Sequence, residues 1–462
     1  MFDAEIYIER RRRLVEQLNS GLILFLGNNE SPMNYPDNIY TFRQDSSFLY
    51  YFGLDCPSLA AVIDIDEGSA QIFGDDLTVD DIVWTGPLPT VADRALTAGV
   101  DKTAPLSELH EMLASSAGQG RAIRFLPQYR ADNALTIQRL LGICPSEIAS
   151  RTSETLIRAV VAQRSIKSPE EIAQIEAAVN LTGAMHVLAM RMTRPGLYER
   201  EVAGAVEGLA VSSGGRLAFP TIFSIHGETL HNHYHGNQMS AGDIVVNDSG
   251  AESLMGYAGD ITRTIPVGGE FSPRQKEIYA IVYDAQETAI SGCREGVEFR
   301  NVHRLACRML ADGLKGLGVM KGDPDSAVDA GAHTLFFQCG LGHMMGLDVH
   351  DMEGLGEQYV GYTDEIRRNP EFGFKSLRLA KALEPGFVIT VEPGIYFIPE
   401  LIDRWRAENK CADFINYDEV EKYRDFGGVR IEDDILITEG APRVLGDPIP
   451  KKIADVQELA CV

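Results

Sequence analysis

Two aspartates, Asp248 and Asp260, flank a short turn in residues 247–266, NDSGAESLMGYAGDITRTIP. The β-branched run Ile244-Val245-Val246 ahead of Asp248, and Ile261-Thr262-Arg263-Thr264-Ile265 after Asp260, predict two adjacent strands of a hairpin. Such a hairpin can aim both carboxylates at one point. Two carboxylates buried together repel, and one ordinarily takes up a proton; a bound cation removes that conflict. Taken alone, Asp248 would be a turn residue and Asp260 a solvated strand end. Three further candidate ligands downstream, His343, Glu392 and Glu432, make a metal site the better reading.

Each of the three has a context suited to the task. His343 lies in residues 340–351, GLGHMMGLDVHD, where glycines let the backbone pack closely and leave the imidazole facing a cavity. Its distance in sequence from His350 is not the four-residue helical spacing of a zinc-protease helix. Glu392 ends a predicted strand over residues 387–391, between the turns Glu384-Pro385-Gly386 and Glu392-Pro393-Gly394. Residues 427–437 alternate as one strand, with Arg430 and Glu432 on one face and Val429 and Ile431 on the other. An acidic residue on the inward face of a central strand needs a partner. One imidazole and four carboxylates form an oxygen-rich set, suited to Mn²⁺, Fe²⁺, Co²⁺ or Zn²⁺. Four carboxylates balance two divalent cations. Two metals about 3.5–4 Å apart can share a hydroxide nucleophile and stabilise a tetrahedral intermediate.

The elements that must position these residues follow from the rest of the chain. With 462 residues there is room for two or three domains. The formal net charge of -25 argues against nucleic acid or an anionic membrane surface as a partner. Seven scattered cysteines without a Cys-x-x-Cys pair read as free thiols in a reducing, cytoplasmic setting. The N-terminal segment has no apolar core of a signal, and no apolar run is long enough for a transmembrane helix. Strands are predicted at residues 22–26, 59–65, 70–73, 82–84 and 123–126, with helices at 4–19, 91–98, 106–116 and 132–141. This alternation predicts an α/β domain. Ser168-Pro169-Glu170-Glu171 is a capping box with proline at the first helical position, opening a helix to about Met192. The domain boundary is placed at residue 165. Further helices are predicted at residues 199–212, 273–293 and 302–317, among strands, so residues 166–462 read as α+β. Two strand–turn–carboxylate units, around Gly242-Asp243 and Pro385-Gly386, hint at duplicated halves.

In the order Asp248, Asp260, His343, Glu392, Glu432, with the segments YAGDITRT, GLGHMMGLDVHD, LEPGFVITVEPGIY and GGVRIEDD, the chain resembles the pita-bread metallopeptidases, and within them aminopeptidase P and prolidase. Residues 41–48, TFRQDSSF, resemble the N-terminal domain of aminopeptidase P. The resemblance implies an α/β N-terminal domain, residues 1–165, and a pita-bread catalytic domain of the creatinase/aminopeptidase type, residues 166–462. It implies two divalent metals, Mn²⁺ first, with Co²⁺, Zn²⁺ or Fe²⁺ as alternatives. It also implies a hydroxide shared by the metals, peptides with proline in second position as substrates, and a homo-oligomer of two or four copies. Asp248 and Asp260 would hold one metal, His343 and Glu392 the other, with Asp260 and Glu432 bridging. Glu392 would relay a proton, and His231 and His350 would bind substrate and steady the oxyanion. Arg430 resembles the arginine behind the metals, and Tyr396 the tyrosine after the Glu-Pro-Gly turn.

One departure is that Asp248 and Asp260 lie one residue further apart than in most relatives, with the extra residue at the hairpin tip, Glu252-Ser253-Leu254-Met255. A longer tip can be absorbed; a slipped register would turn Asp248 to the wrong face. His231 keeps the family's distance to the first aspartate, whereas His233 keeps a His-Tyr pair found in some relatives. Arg378 matches the arginine with which prolidases hold the free carboxylate of a dipeptide, or is a solvated helix residue near Lys375 and Lys381. FRQDSSF favours aminopeptidase P over prolidase. Metal-free binding modules and creatinase-like enzymes on this fold lack the ligand set, and methionine aminopeptidases do not need the N-terminal domain.

Overall fold

The computed structural model describes residues 1–461 and divides into two compact units, Met1–Arg164 with Glu353–Tyr359, and the remainder of the chain. The first unit is built on five strands: β1 (Leu22–Leu26), β2 (Ala60–Asp64), β3 (Ser69–Phe73), β4 (Lys102–Ala104) and β5 (Ile123–Phe125). Their order in the sheet is β4-β3-β2-β1-β5. β1 and β2 are buried along their whole length, as their continuous apolar runs require. The end of the segment resembling aminopeptidase P, Ser46–Phe48, opens a buried helix, Ser46–Phe52, capped by Asp45, whose Oδ1 accepts from Phe48 N at 2.9 Å.

Residues 82–84, predicted as a strand, lie instead in a helix, Val79–Thr85. Thr78 and Asp81 close a reciprocal capping box there, and none of the helix is buried. An apolar triplet without a burial partner is not a strand signal when a cap precedes it.

In the second unit, β6 (Ile222–Ser224), β7 (Ile244–Ser249) and β8 (Ile261–Pro266) form one sheet, in that order. β9 (Val388–Val391), β12 (Asp433–Leu436) and β13 (Arg443–Val444) form a second, ordered β13-β12-β9, and β10 (Gly394–Tyr396) pairs with β11 (Gly428–Arg430). The single strand expected over residues 427–437 is therefore two, interrupted at Ile431-Glu432. Its facing strand is interrupted at Glu392-Pro393. Pro393 has no N–H to give to a ladder, and Ile431 N turns to Pro393 O.

The helices carry a visible duplication. Pro169–Met192 is followed by Glu199–Ser212, and Pro273–Gly292 by Phe299–Gly316. The short turns between them make equivalent antiparallel bridges, Tyr198 to Gln238 and Glu298 to Ala382. Among the described residues, no helix is long and apolar enough to cross a membrane.

Candidate metal centre

The β7–β8 register pairs Asp248 with Thr262 and Ser249 with Ile261. Continuing it sets Asp260 opposite Gly250, so Asp248 and Asp260 project from the same face. The longer tip is absorbed locally. Ser253 N donates to Tyr257 O, Gly256 N donates to Ser253 O, and Gly256 takes φ +79°, a conformation glycine adopts without strain. Leu254 at the tip is 77% exposed.

Glu432 sits in the gap between β11 and β12 and is tied to β8. Its N–H donates to Thr262 O at 3.1 Å, and Thr262 Oγ1 donates to its Oε2 at 2.6 Å. Glu392 sits in the matching gap, where its N–H donates to Leu341 O and Thr390 Oγ1 lies 3.3 Å from its Oε1. His343 is delivered by the loop running alongside β9. A Cβ on Gly342 would stand 2.0 Å from Thr390 O, so only glycine allows this approach. Nδ1 of His343 is 3.1 Å from Met344 O, which fixes the tautomer with hydrogen on Nδ1. Its Nε2 lone pair then faces Asp260 Oδ2 at 3.4 Å and Glu392 Oε1 at 3.6 Å. Donor atoms of Asp260, His343 and Glu432 lie within 4.8 Å of one another.

The electrostatics are those of an anion cluster lacking its counter-charge. Burial, then the Asp248 charge, pushes Asp260 well above the carboxylate range. Burial, then Asp260 and Glu392, does the same to Glu432. Burial is also the main force taking Glu392 to about 7, with Asp260 and Asp248 adding to it against His343 and Arg430. Behind them, burial and Asp260 raise Asp434, whose Oδ2 accepts from Asp260 N. Asp248 Oδ1 and Asp260 Oδ1 are buried with no hydrogen-bond partner. Orphaned carboxylate oxygens beside an imidazole lone pair are a donor set that fits divalent cations.

Arg430 is a buried cation built into this cluster. It donates to Asp248 Oδ2, to Thr262 Oγ1 at 3.0 Å and to the Tyr396 hydroxyl at 3.0 Å. Tyr396 is fully buried, its hydroxyl turned to that guanidinium. The His350 ring packs edge-on against His343, centroids 4.2 Å apart. His231 is exposed, yet partial burial and Arg430 lower its pKa, and Asp248, His350 and Arg378 also act on it. His233 is exposed on the same loop. Arg378 is half-buried in an irregular segment, not on a helix.

Sequence reading passed over Thr262, Thr390 and Asp434. Thr262 and Thr390 each lie two residues from a carboxylate, Asp260 and Glu392, a period-2 signal for a shared face. It also passed over the buried pair Lys167–Asp351, 2.9 Å apart and 1% exposed on each side. Asp351 Oδ1 accepts from Asp348 N, and Asp351 N donates to Met344 O, so this pair holds the loop carrying His343 and His350.

The chain is similar to known proteins along nearly its whole length. Residues 173–439 match the model of metallopeptidase family M24, and residues 7–124 that of the aminopeptidase P N-terminal domain. A human Xaa-Pro dipeptidase is 30% identical over 99% of this chain and 93% of its own length. A probable Xaa-Pro aminopeptidase of Uncinocarpus reesii is 29% identical over 98% and 93%. The structure of Zn-substituted Escherichia coli aminopeptidase P in complex with product is 30% identical, covers 99% of this chain and 98% of that one, and superposes with a TM-score of 0.81. With its fold matched over nearly its full length and its catalytic unit matched by the family model, the chain belongs to metallopeptidase family M24.

Proposed function

We propose that the chain is a dinuclear metal-dependent Xaa-Pro aminopeptidase, which hydrolyses the bond between an N-terminal residue and a following proline. The observation that carries this reading is the buried cluster of four carboxylates and one imidazole with two orphaned oxygens. Asp248 and Asp260 would hold one cation, His343 and Glu392 the other, with Asp260 and Glu432 shared. The oxygen-rich set favours Mn²⁺, with Co²⁺, Zn²⁺ and Fe²⁺ also accommodated. When bound, the cations supply an activated water and positive charge for the tetrahedral intermediate.

The remaining chemistry belongs to the chain. Glu392, steadied by Thr390, accepts a proton and delivers it to the leaving proline nitrogen. His231 and His350 donate to the carbonyl oxygen as it gains charge. Arg430 positions Asp248 from behind, with Tyr396 bracing the guanidinium. Residues 166–462 would be the catalytic domain and 1–165 the N-terminal domain. Seven free cysteines support a reducing, cytoplasmic setting. An assembly of two or four copies is the expected state, measurable by light scattering.

A second reading, Xaa-Pro dipeptidase, has one observation in its favour: Arg378 is close enough to act on His231, and so could meet a dipeptide's free carboxylate. The test is a kinetic panel of Xaa-Pro dipeptides and Xaa-Pro-Xaa tripeptides with Mn²⁺, Co²⁺ and Zn²⁺. The aminopeptidase reading expects tripeptides to be better substrates and Arg378→Ala to change both classes little or equally. Under the dipeptidase reading Arg378→Ala removes a charge-assisted hydrogen bond, about 1.5–3 kcal/mol, or about one to two decades of kcat/KM on dipeptides alone. That selective loss, with tripeptides poor from the start, would replace the first reading with the second.

A further inference from the structure

Away from the carboxylates, the helix Phe299–Gly316 places His303 and Cys307 one turn apart on its buried face. The short 3-10 turn Ala332–Leu335 brings His333 to the same place. One donor atom from each of the three lies within 4.8 Å of the others. Their exposures are 5%, 0% and 2%. Cys307 Sγ stands 3.5 Å from His303 Nε2. In tetrahedral zinc coordination, bonds of about 2.3 Å to sulfur and about 2.05 Å to nitrogen put those atoms about 3.6 Å apart. His333 Nδ1 is buried with no hydrogen-bond partner, a state that buried polar atoms rarely keep. Both imidazoles are buried, and a neutral imidazole keeps a lone pair for a metal. A cavity of about 290 Å³ reaches the cluster and is also lined by Arg300, Arg304, Arg367 and Asn369. The Arg304 charge is already paired with Asp329 and Asp325.

We propose that His303, Cys307 and His333 form a separate site for a borderline-soft divalent cation such as Zn²⁺ or Co²⁺, held by one thiolate and two imidazoles, with its fourth position open to the cavity for water or a small anion. Binding replaces the Cys307 S–H bond with a sulfur–metal bond, and the proton leaves to solvent. Sγ now lies beside the His303 ring, 3.5 Å from Nε2 and 4.0 Å from Nδ1. A turn about χ2, a broad torsion in histidine, points a ring nitrogen at the shared position. Mn²⁺, which prefers oxygen ligands, is excluded, so this site and the carboxylate centre select different ions.

Metal-stripped protein is titrated with Co²⁺ under a phosphine reductant while thiolate-to-cobalt absorption in the near ultraviolet is followed. None of the five proposed ligands of the carboxylate centre carries sulfur, and Cys339→Ser controls for the buried thiol that lies near Glu392 and Tyr396. The expected result is a band that saturates at about one cobalt per chain, is absent from Cys307→Ser, and needs at least about tenfold more Co²⁺ in His333→Gln. Elemental analysis should find one more Zn²⁺ than Mn²⁺ bound per chain, the excess lost in Cys307→Ser. The exposed Cys144 and Cys461 remain in that variant and control for adventitious thiol binding. If Cys307→Ser does not fold, His333→Gln decides, and an unchanged band there overturns the proposal. Equal Zn²⁺ and Mn²⁺ contents, or a band that survives Cys307→Ser, overturns it as well.

Discussion

In the first half of the catalytic unit Asp248 leaves an unbroken ladder, whereas in the second half Glu392 and Glu432 leave a ladder where it stops. β7 and β8 stay paired from Ile244 opposite Pro266 to Ser249 opposite Ile261. β9 and β12 pair only as far as Val391 opposite Asp433, and β10 and β11 resume at Gly394 opposite Arg430. The two glutamates occupy the gap. An intact ladder has no spare backbone groups, so its short carboxylate is steadied by a side chain, Arg430. A broken ladder frees backbone groups, and these go elsewhere: Glu392 N–H to the histidine loop at Leu341 O, Glu432 N–H to β8 at Thr262 O. The interruption is thus the joint by which the second half grips both the imidazole and the first half.

The largest expected effect comes from removing the joint's own ligand. Glu432→Gln should lose most bound metal and about 10³-fold or more in kcat/KM, about 4 kcal/mol, while the fold survives. Equal metal in variant and parent by elemental analysis would contradict the assignment of Glu432. Next is the close approach of the histidine loop. Gly342→Ala forces a methyl toward Thr390 O and should cost about 2–3 kcal/mol in urea unfolding, with weaker metal retention. Wild-type stability would show that the loop is not pinned to β9. In the first half, His231→Ala should slow turnover by about 10²-fold and His233→Ala by less than about threefold. The reverse order would mean that the other histidine serves the site.

A smaller effect tests the support beneath β7. His186 is fully buried against Ser249 and Asn247, and burial, aided by Arg263, lowers it to about 3. Its folded pKa lies below the unfolded value of about 6.5, so the unfolded chain binds the extra proton between those limits. Stability is therefore complete above about pH 6.5 and falls as pH drops, by up to about 1.4 kcal/mol per unit from this residue. Urea midpoints at pH 7 and pH 5 should separate less in His186→Gln than in the parent. The smallest effect is expected at the hairpin tip. Deleting Leu254 should change kcat/KM by less than about threefold, because the β7–β8 register is set below it.

The candidate ligands stood out because their residue types are rare in apolar surroundings and all but Glu432 lie within two residues of a glycine or proline; the structure brings donor atoms of Asp260, His343 and Glu432 together. The two strands of the hairpin were legible from their β-branched runs, but their register was not, because both strands are buried on both faces and no alternation marks it. The break at Ile431-Glu432 was not legible either, since alternation holds from Val429 to Glu432 and the interruption comes with Pro393 on the facing strand, which a single strand's pattern does not show. Residues 82–84 mislead because an apolar triplet implies burial, whereas Trp84 is 87% exposed. The Lys167–Asp351 pair joins residues 184 positions apart, and no local pattern announces such a partner.

The Thr262–Glu432 contact closes over 170 residues of chain. A ribosome adding about 5–20 residues per second needs roughly ten to thirty seconds to span that distance. Throughout that interval Asp248 and Asp260 are already made, while Glu432, the last of the proposed ligands, is still unsynthesised. Metal capture is then a late event of biosynthesis, and the ion acquired reflects the pool present where folding finishes.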